Sequence, residues 1–177
     1  MPSIPDPAYD HRPDGPGTLR RRVRLVRRHI GPGPYLVFGS GLVGAGAVGS
    51  GDVGPGALLA LLAAHGSASG FVTDGALADR TRRAAPGCPV HTIPDAIPSG
   101  VFRGVLAAAR PDDATLALWR RVLVRDTGRV LLVGEGDIAP ERLAAAGLRL
   151  RWAGREYWRI GAPVVVLQSL PQRPPGA

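Results

Sequence analysis

Residues Gly39–Asp74 read GSGLVGAGAVGSGDVGPGALLALLAAHGSASGFVTD, and their parsing decides the fold. A glycine-rich run, Gly39–Gly56, leads into the apolar segment ALLALLAAHG, which gives way to SASGFVTD. We parse this as strand end, loop, helix, second strand and acid. Glycine lets the backbone turn sharply and come close to a ligand. A helix opening just after such a loop aims its free N–H groups and the positive end of its dipole at whatever lies there. An acid at the tip of the next strand can accept hydrogen bonds from ribose hydroxyls. Together these features point to a site for a nucleoside-type cofactor. The competing reading is a flexible linker, a common use of glycine-rich sequence, but the ordered patterns downstream count against it.

The run holds two overlapping G-x-G-x-x-G candidates. Gly39, Gly41 and Gly44 follow the strand-like PYLVF; Gly49, Gly51 and Gly54 follow a possible buried strand at Leu42, Val43, Ala47 and Val48. The second candidate is preferred. It runs straight into the helix expected at Ala57–Ala64, and it stands near the spacing of about 20 residues expected before a ribose acid, here Asp74. From Gly44 the distance to Asp74 is too long for that role, which disfavours a nicotinamide-type dinucleotide site.

Outward from this stretch, strands and helices alternate. A helix is expected over Gly75–Ala85 and a strand over Val90–Ile93, which puts Asp95 at the end of the next strand, as Asp74 is at the end of its own. Further strands are expected at Val101–Leu106, Arg129–Gly134, within Leu148–Ile160, and at Pro163–Leu170. Helices are expected from Asp112 or Asp113 to Val124, with Leu116, Trp119, Val122 and Leu123 inward, and at Ala139–Ala146, stopped by Gly147. The pattern predicts an α/β fold: a Rossmann-like open, mostly parallel sheet with helices on both faces. Ligands bind such sheets at the carboxyl ends of the strands.

The chain of 177 residues is 45% hydrophobic, which suits one domain with a real core. Its formal net charge of +8 favours acidic or polyanionic partners. All the side-chain base outside histidine is arginine. Residues 1–17 carry five prolines and read as a disordered arm. Residues 18–34 read as a basic helix and linker, with Leu19, Val23, Val26 and Ile30 on one stripe. Arg20, Arg21, Arg24, Arg27 and Arg28 cover the rest. That face either grips an acidic protein or nucleic acid, or is simply solvated. No aromatic residue interleaves with these arginines, so the sequence gives no support for base stacking. Residues 35–171 form the main domain and 172–177 an unstructured tail. The single Cys88 excludes an internal disulfide and a cysteine-cluster zinc site. The absence of a long apolar run or a leader pattern leads us to expect a cytoplasmic protein with no membrane contact.

Three pieces of the chain together resemble class I S-adenosylmethionine-dependent methyltransferases. GSGDVGPGALLALLAAHG is similar to their glycine motif and following helix. FVTDGALADRTRRAAPGCPVHTIPDA is similar to their second strand, acid, helix and third strand. ALWRRVLVRDTGRVLLV resembles the helix and turn before their fifth strand. The ending RLRWAGREYWRIGAPVVVLQSL suits the antiparallel C-terminal hairpin that separates this fold from dinucleotide-binding sheets. The resemblance implies S-adenosylmethionine as cofactor, with Gly49 and Gly51 passing its methionine part, Asp74 holding the ribose and Asp95 accepting from the adenine amino group. It implies methyl transfer to a small molecule or RNA. The family's first-strand acid, placed just before the glycines, has no counterpart in VGAGAV. The alternative is therefore an inactive protein of this fold, working as a binding or scaffold subunit. His29, His65, His91 and Asp112 are the candidate bases; Trp152, Tyr157 and Trp158 could wall an acceptor pocket. No zinc-peptidase, serine-hydrolase or Walker motif is present, and the sequence offers no metal site.

Overall fold

The computed structural model describes residues 16–39, 56–108, 110–134, 138–155 and 163–171. Among these residues, seven strands form one sheet: β1 Tyr35–Phe38, β2 Ala68–Phe71, β3 Val90–His91, β4 Gly104–Ala107, β5 Arg129–Val133, β6 Leu148–Arg155 and β7 Pro163–Ser169. Their order across the sheet is β3-β2-β1-β4-β5-β7-β6. β7 pairs antiparallel with both β5 and β6, and the other pairings are parallel. The chain winds outward from β1 through β2 to β3, then returns to the other side of β1 for β4. The direction of winding therefore reverses between β1 and β4, where such sheets open a crevice.

The strands show why both faces must be covered. Tyr35 and Val37, Leu131 and Val133, and Val164 and Val166 belong to one buried cluster; Leu36, Val130 and Leu132, and Val165 and Leu167 belong to another. Successive side chains point to opposite faces, so an unbroken apolar strand needs a helical layer on each side. On the first face lie α1 (Pro16–His29), α2 (Ala57–Ala63) and α3 (Gly75–Ala84). On the second lie α4 (Asp113–Val122) and α5 (Pro140–Ala145).

The stripe expected on α1 is the one buried: Leu19, Val23, Val26 and Ile30 all join the first cluster. The helix nevertheless opens at Pro16, so residues 16–17 are helical and not part of an arm as expected. Proline suits a first turn, where its missing N–H has no partner to lose. The basic helix is thus packed into the same core as the sheet. Its approach is close, since a Cβ on Gly104 would lie 2.8 Å from Ile30. The strand anticipated over Leu42–Val48 lies outside the described residues. Tyr35–Phe38 lies inside the sheet, paired with β2 on one side and β4 on the other, so the resemblance's first strand falls here.

Other boundaries shift for local reasons. β2 ends at Phe71, before Thr73, because Asp74 caps α3. β3 stops at His91; Pro94 opens a 3-10 turn, Pro94–Ala96, and Ile93 is 62% exposed. β4 begins at Gly104 because Phe102 makes only an isolated bridge to Leu123. β6 runs on through Gly154, with its irregularity falling between Leu150 and Trp152. α4 carries Leu116, Trp119 and Val122 inward as read, and Gly147 leaves α5 at φ 68°.

Candidate cofactor site

The carboxyl ends of β1 and β2 rest on three rings. Phe38, the last residue of β1, lies 4.8 Å from the ring of Phe71 and 5.8 Å, edge-on, from Trp119 of α4. Trp119 and its neighbours Leu116 and Leu123 are fully enclosed. This platform fixes where β1 ends and the glycine run begins. Gly39 has φ 57°, a left-handed turn that glycine adopts without strain. Gly49 and Gly51, together with Gly41, Gly44 and Gly54, lie outside the described residues. Just before α2, Gly56 has φ 93° and sits 3.1 Å (as a built Cβ) from both Thr81 and Ala84, so α2 starts pressed against α3.

Asp74 stands three residues past β2 and is exposed to solvent. Its Oδ1 accepts from the Leu77 N–H at 2.8 Å and so caps α3. One oxygen of the carboxylate is committed to the helix and the other is available to a ligand. Asp95 sits in the 3-10 turn after β3, also exposed. Because β2 and β3 are parallel neighbours, Gly70 opposite Val90 and Phe71 opposite His91, both carboxylates project from the same end of the sheet. β1, by contrast, offers no acid; Val37 is fully buried.

The candidate bases separate. His91, in β3, lies just before the Asp95 turn; burial lowers its pKa and keeps the imidazole neutral, able to accept a proton. Asp112 accepts from the Thr115 N–H at 2.7 Å and caps α4; that hydrogen bond lowers its pKa. His29 ends α1 at the opposite, amino end of the sheet, and His65 follows α2, exposed. Cys88 is half-buried, and burial raises its pKa, so it remains a thiol rather than a nucleophilic thiolate. Trp152 packs against His29, away from Asp74 and Asp95. Tyr157 and Trp158 lie outside the described residues.

One residue escaped the sequence reading. Arg22 is 7% exposed and lines a narrow apolar cleft with Leu58, Leu106, Leu131 and Val133, near the carboxyl ends of β4 and β5. The signal was its register: Arg22 falls between Leu19 and Val26, on the buried stripe of α1. Among the described residues, no group of His, Cys, Asp and Glu could hold a metal ion, and no helix is long and apolar enough to cross a membrane.

No family model matches the chain, and no curated protein matches it either. Solved structures do. A TehB-like S-adenosylmethionine-dependent methyltransferase from Corynebacterium glutamicum superposes with TM-score 0.60 at 16% identity, over 84% of this chain and 87% of that one. A 1,6-didemethyltoxoflavin-N1-methyltransferase from Burkholderia thailandensis, solved with 1,6-didemethyltoxoflavin and S-adenosylhomocysteine, gives TM-score 0.60 at 15% identity, over 86% and 78%. An O-methyltransferase of neocarzinostatin biosynthesis, in complex with S-adenosylmethionine and 2-hydroxy-5-methyl naphthoic acid, gives 0.56 at 19% identity, over 80% and 50%. The chain has the Rossmann-like fold of class I S-adenosylmethionine-dependent methyltransferases.

Proposed function

We propose that this chain binds S-adenosylmethionine at the carboxyl end of its sheet and catalyses methyl transfer to a small molecule or RNA. The observation that carries the reading is the strand order, with antiparallel β7 set between β5 and β6, in a fold shared with methyltransferases. The small-molecule acceptor draws support from the two similar structures that were solved with one. When bound, the cofactor supplies an electrophilic methyl group on a sulfonium.

The chain's own part is to bind and orient, which is where most acceleration of such a displacement comes from. The free oxygen of Asp74 would accept from a ribose hydroxyl and Asp95 from the adenine amino group. Gly49 and Gly51 would pass the methionine part. His91, neutral by burial, can take a proton where the acceptor must lose one.

A second reading has its own observation. β1 is YLVF, with no carboxylate to orient the cofactor's amino end, and Asp74 already serves α3. An inactive binding or scaffold subunit of the same fold would look like this. Titration of the purified protein with S-adenosylmethionine and S-adenosylhomocysteine in a calorimeter decides between the two. Micromolar binding supports the enzyme; silence at millimolar ligand supports the scaffold.

A further inference from the structure

The amino end of the sheet, opposite the proposed cofactor site, carries a different chemistry. Arg129 opens β5; in register with it is Gln168 of β7, and opposite Gln168 is Arg149 of β6. Directly opposed side chains share a face, so this row lies on the α1 side of the sheet. Arg151 joins it. Its Nη1 donates to Gln168 Oε1 at 2.9 Å, and Arg149 reaches the same oxygen at 3.4 Å. Gln168 Nε2 is itself held by the Asp126 carbonyl at 2.7 Å. Arg129 donates through Nη1 to the carbonyl of His29. Arg103 and Arg129 are joined by a main-chain hydrogen bond of 3.0 Å, and Arg28 is exposed in the last turn of α1.

The bulge in β6 completes the surface. Leu150 pairs with Leu167 and Trp152 with Val166, which leaves Arg151 as the extra residue. A bulge re-aims the side chains beyond it, and here it turns Trp152 onto the face that holds Arg149. Trp152 then lies against His29, ring centroids 4.5 Å apart and tilted by 31°. No aromatic residue interleaves with the arginines of α1 itself. The fold supplies one from β6, more than a hundred positions later.

Among the described residues, no ion pair ties Arg28, Arg103, Arg129, Arg149 or Arg151. The nearby Asp126 meets Gln168 through its main-chain oxygen. Like charges are thus held together by neutral acceptors, an arrangement that an incoming anion stabilises. The depressed pKa values of His29 and Arg129 fit: burial leads in both, and every charged neighbour contributing is an arginine.

We propose that this amino-end surface docks single-stranded nucleic acid, with phosphates on Arg28, Arg103, Arg149 and Arg151 and a base against the His29–Trp152 pair. Spaced guanidinium groups beside a half-exposed aromatic stack are the combination that single strands need. An acidic protein would use the charges and leave the stack idle. The surface is distinct from the cofactor end and holds whether or not the cofactor binds.

The test is fluorescence anisotropy with a fluorescein-labelled single-stranded RNA of mixed sequence, about 20 nucleotides long so that it exceeds a typical site. Arg149→Gln/Arg151→Gln should weaken binding about tenfold or more and lower the salt slope by about 1.4, at about 0.7 for each phosphate. Trp152→Leu should weaken it about tenfold with the salt slope unchanged. Arg80→Gln/Arg83→Gln, two exposed positions on α3, should leave it as in the wild type. Equal losses from the α3 pair, or displacement of the RNA by polyglutamate at equal charge, would overturn the proposal; so would a neutral Trp152→Leu. Melting temperatures and S-adenosylhomocysteine titrations of each variant separate local loss from misfolding and from failure of the methyltransferase reading.

Discussion

The two ends of one sheet are built from opposite materials. At the carboxyl end are the left-handed turn at Gly39, two exposed carboxylates and an aromatic platform. At the amino end are arginines fixed to carbonyl and amide oxygens, with a tryptophan stacked on a histidine. Acid groups that accept hydrogen bonds suit a ligand rich in hydroxyl and amino donors. Guanidinium groups suit phosphate oxygens. Because parallel strands share a direction, each end collects residues from distant parts of the chain, and one scaffold can serve two ligands that never meet.

The largest expected effect breaks the scaffold under the carboxyl end. Trp119 is fully buried and braces Phe38. Trp119→Ala should cost about 3–5 kcal/mol of stability, the usual range for emptying an aromatic core site, measured by urea unfolding. S-adenosylhomocysteine affinity should fall first, since Phe38 and Phe71 lose their support, while RNA affinity under folding conditions should change less. Equal losses at both ends would mean that the platform supports the whole sheet and not one end of it.

A smaller effect separates two roles of Asp74. Asp74→Ala removes the cap of α3, worth about 1 kcal/mol, and should also weaken the cofactor by about 2 kcal/mol, the scale of a hydrogen bond to a charged group. Asp74→Asn keeps a capping oxygen, so stability should be retained and only the cofactor affinity reduced. If the asparagine variant binds S-adenosylhomocysteine as the wild type does, Asp74 is a cap and nothing more. Neither variant should alter RNA binding at the other end.

How far the sequence could be read follows the same division. The carboxyl end was legible because its signals are local. Asp74 follows a strand and caps a helix, and Asp95 follows the next strand inside a short 3-10 turn; the continuous apolar runs of PYLVF and RVLLV marked buried strands. The α1 stripe was legible for the same reason. The amino-end surface was not. Its members come from α1, the residue before β4, β5, β6 and β7, and their meeting depends on register and on one bulge, neither of which has a periodic signature. Arg22 was missed because charge outweighed position in reading the helix. β3 was read too long because an apolar Ile93 looked like strand, although Pro94 had already fixed a turn.

The smallest expected effect is a pH dependence at His29. Burial lowers its pKa first, followed by Arg28 of the same helix, Arg129 of β5 and Arg151 of β6; Trp152 covers one side of the ring. A histidine whose folded pKa is depressed contributes stability that is complete above its ordinary value of 6.5 and is lost as pH falls below it. The free protein should therefore lose stability on acidification, and His29→Gln should remove part of that loss. Bound phosphate reverses the sign for the complex, because an anion beside the ring favours imidazolium. RNA affinity should rise as pH falls from neutrality toward 5.5, by less than about tenfold, the equivalent of one pKa unit. In His29→Gln that rise should vanish while binding near neutral pH persists. A rise that survives the substitution would place the titrating group elsewhere and remove His29 from the surface, leaving Trp152 to meet the base alone.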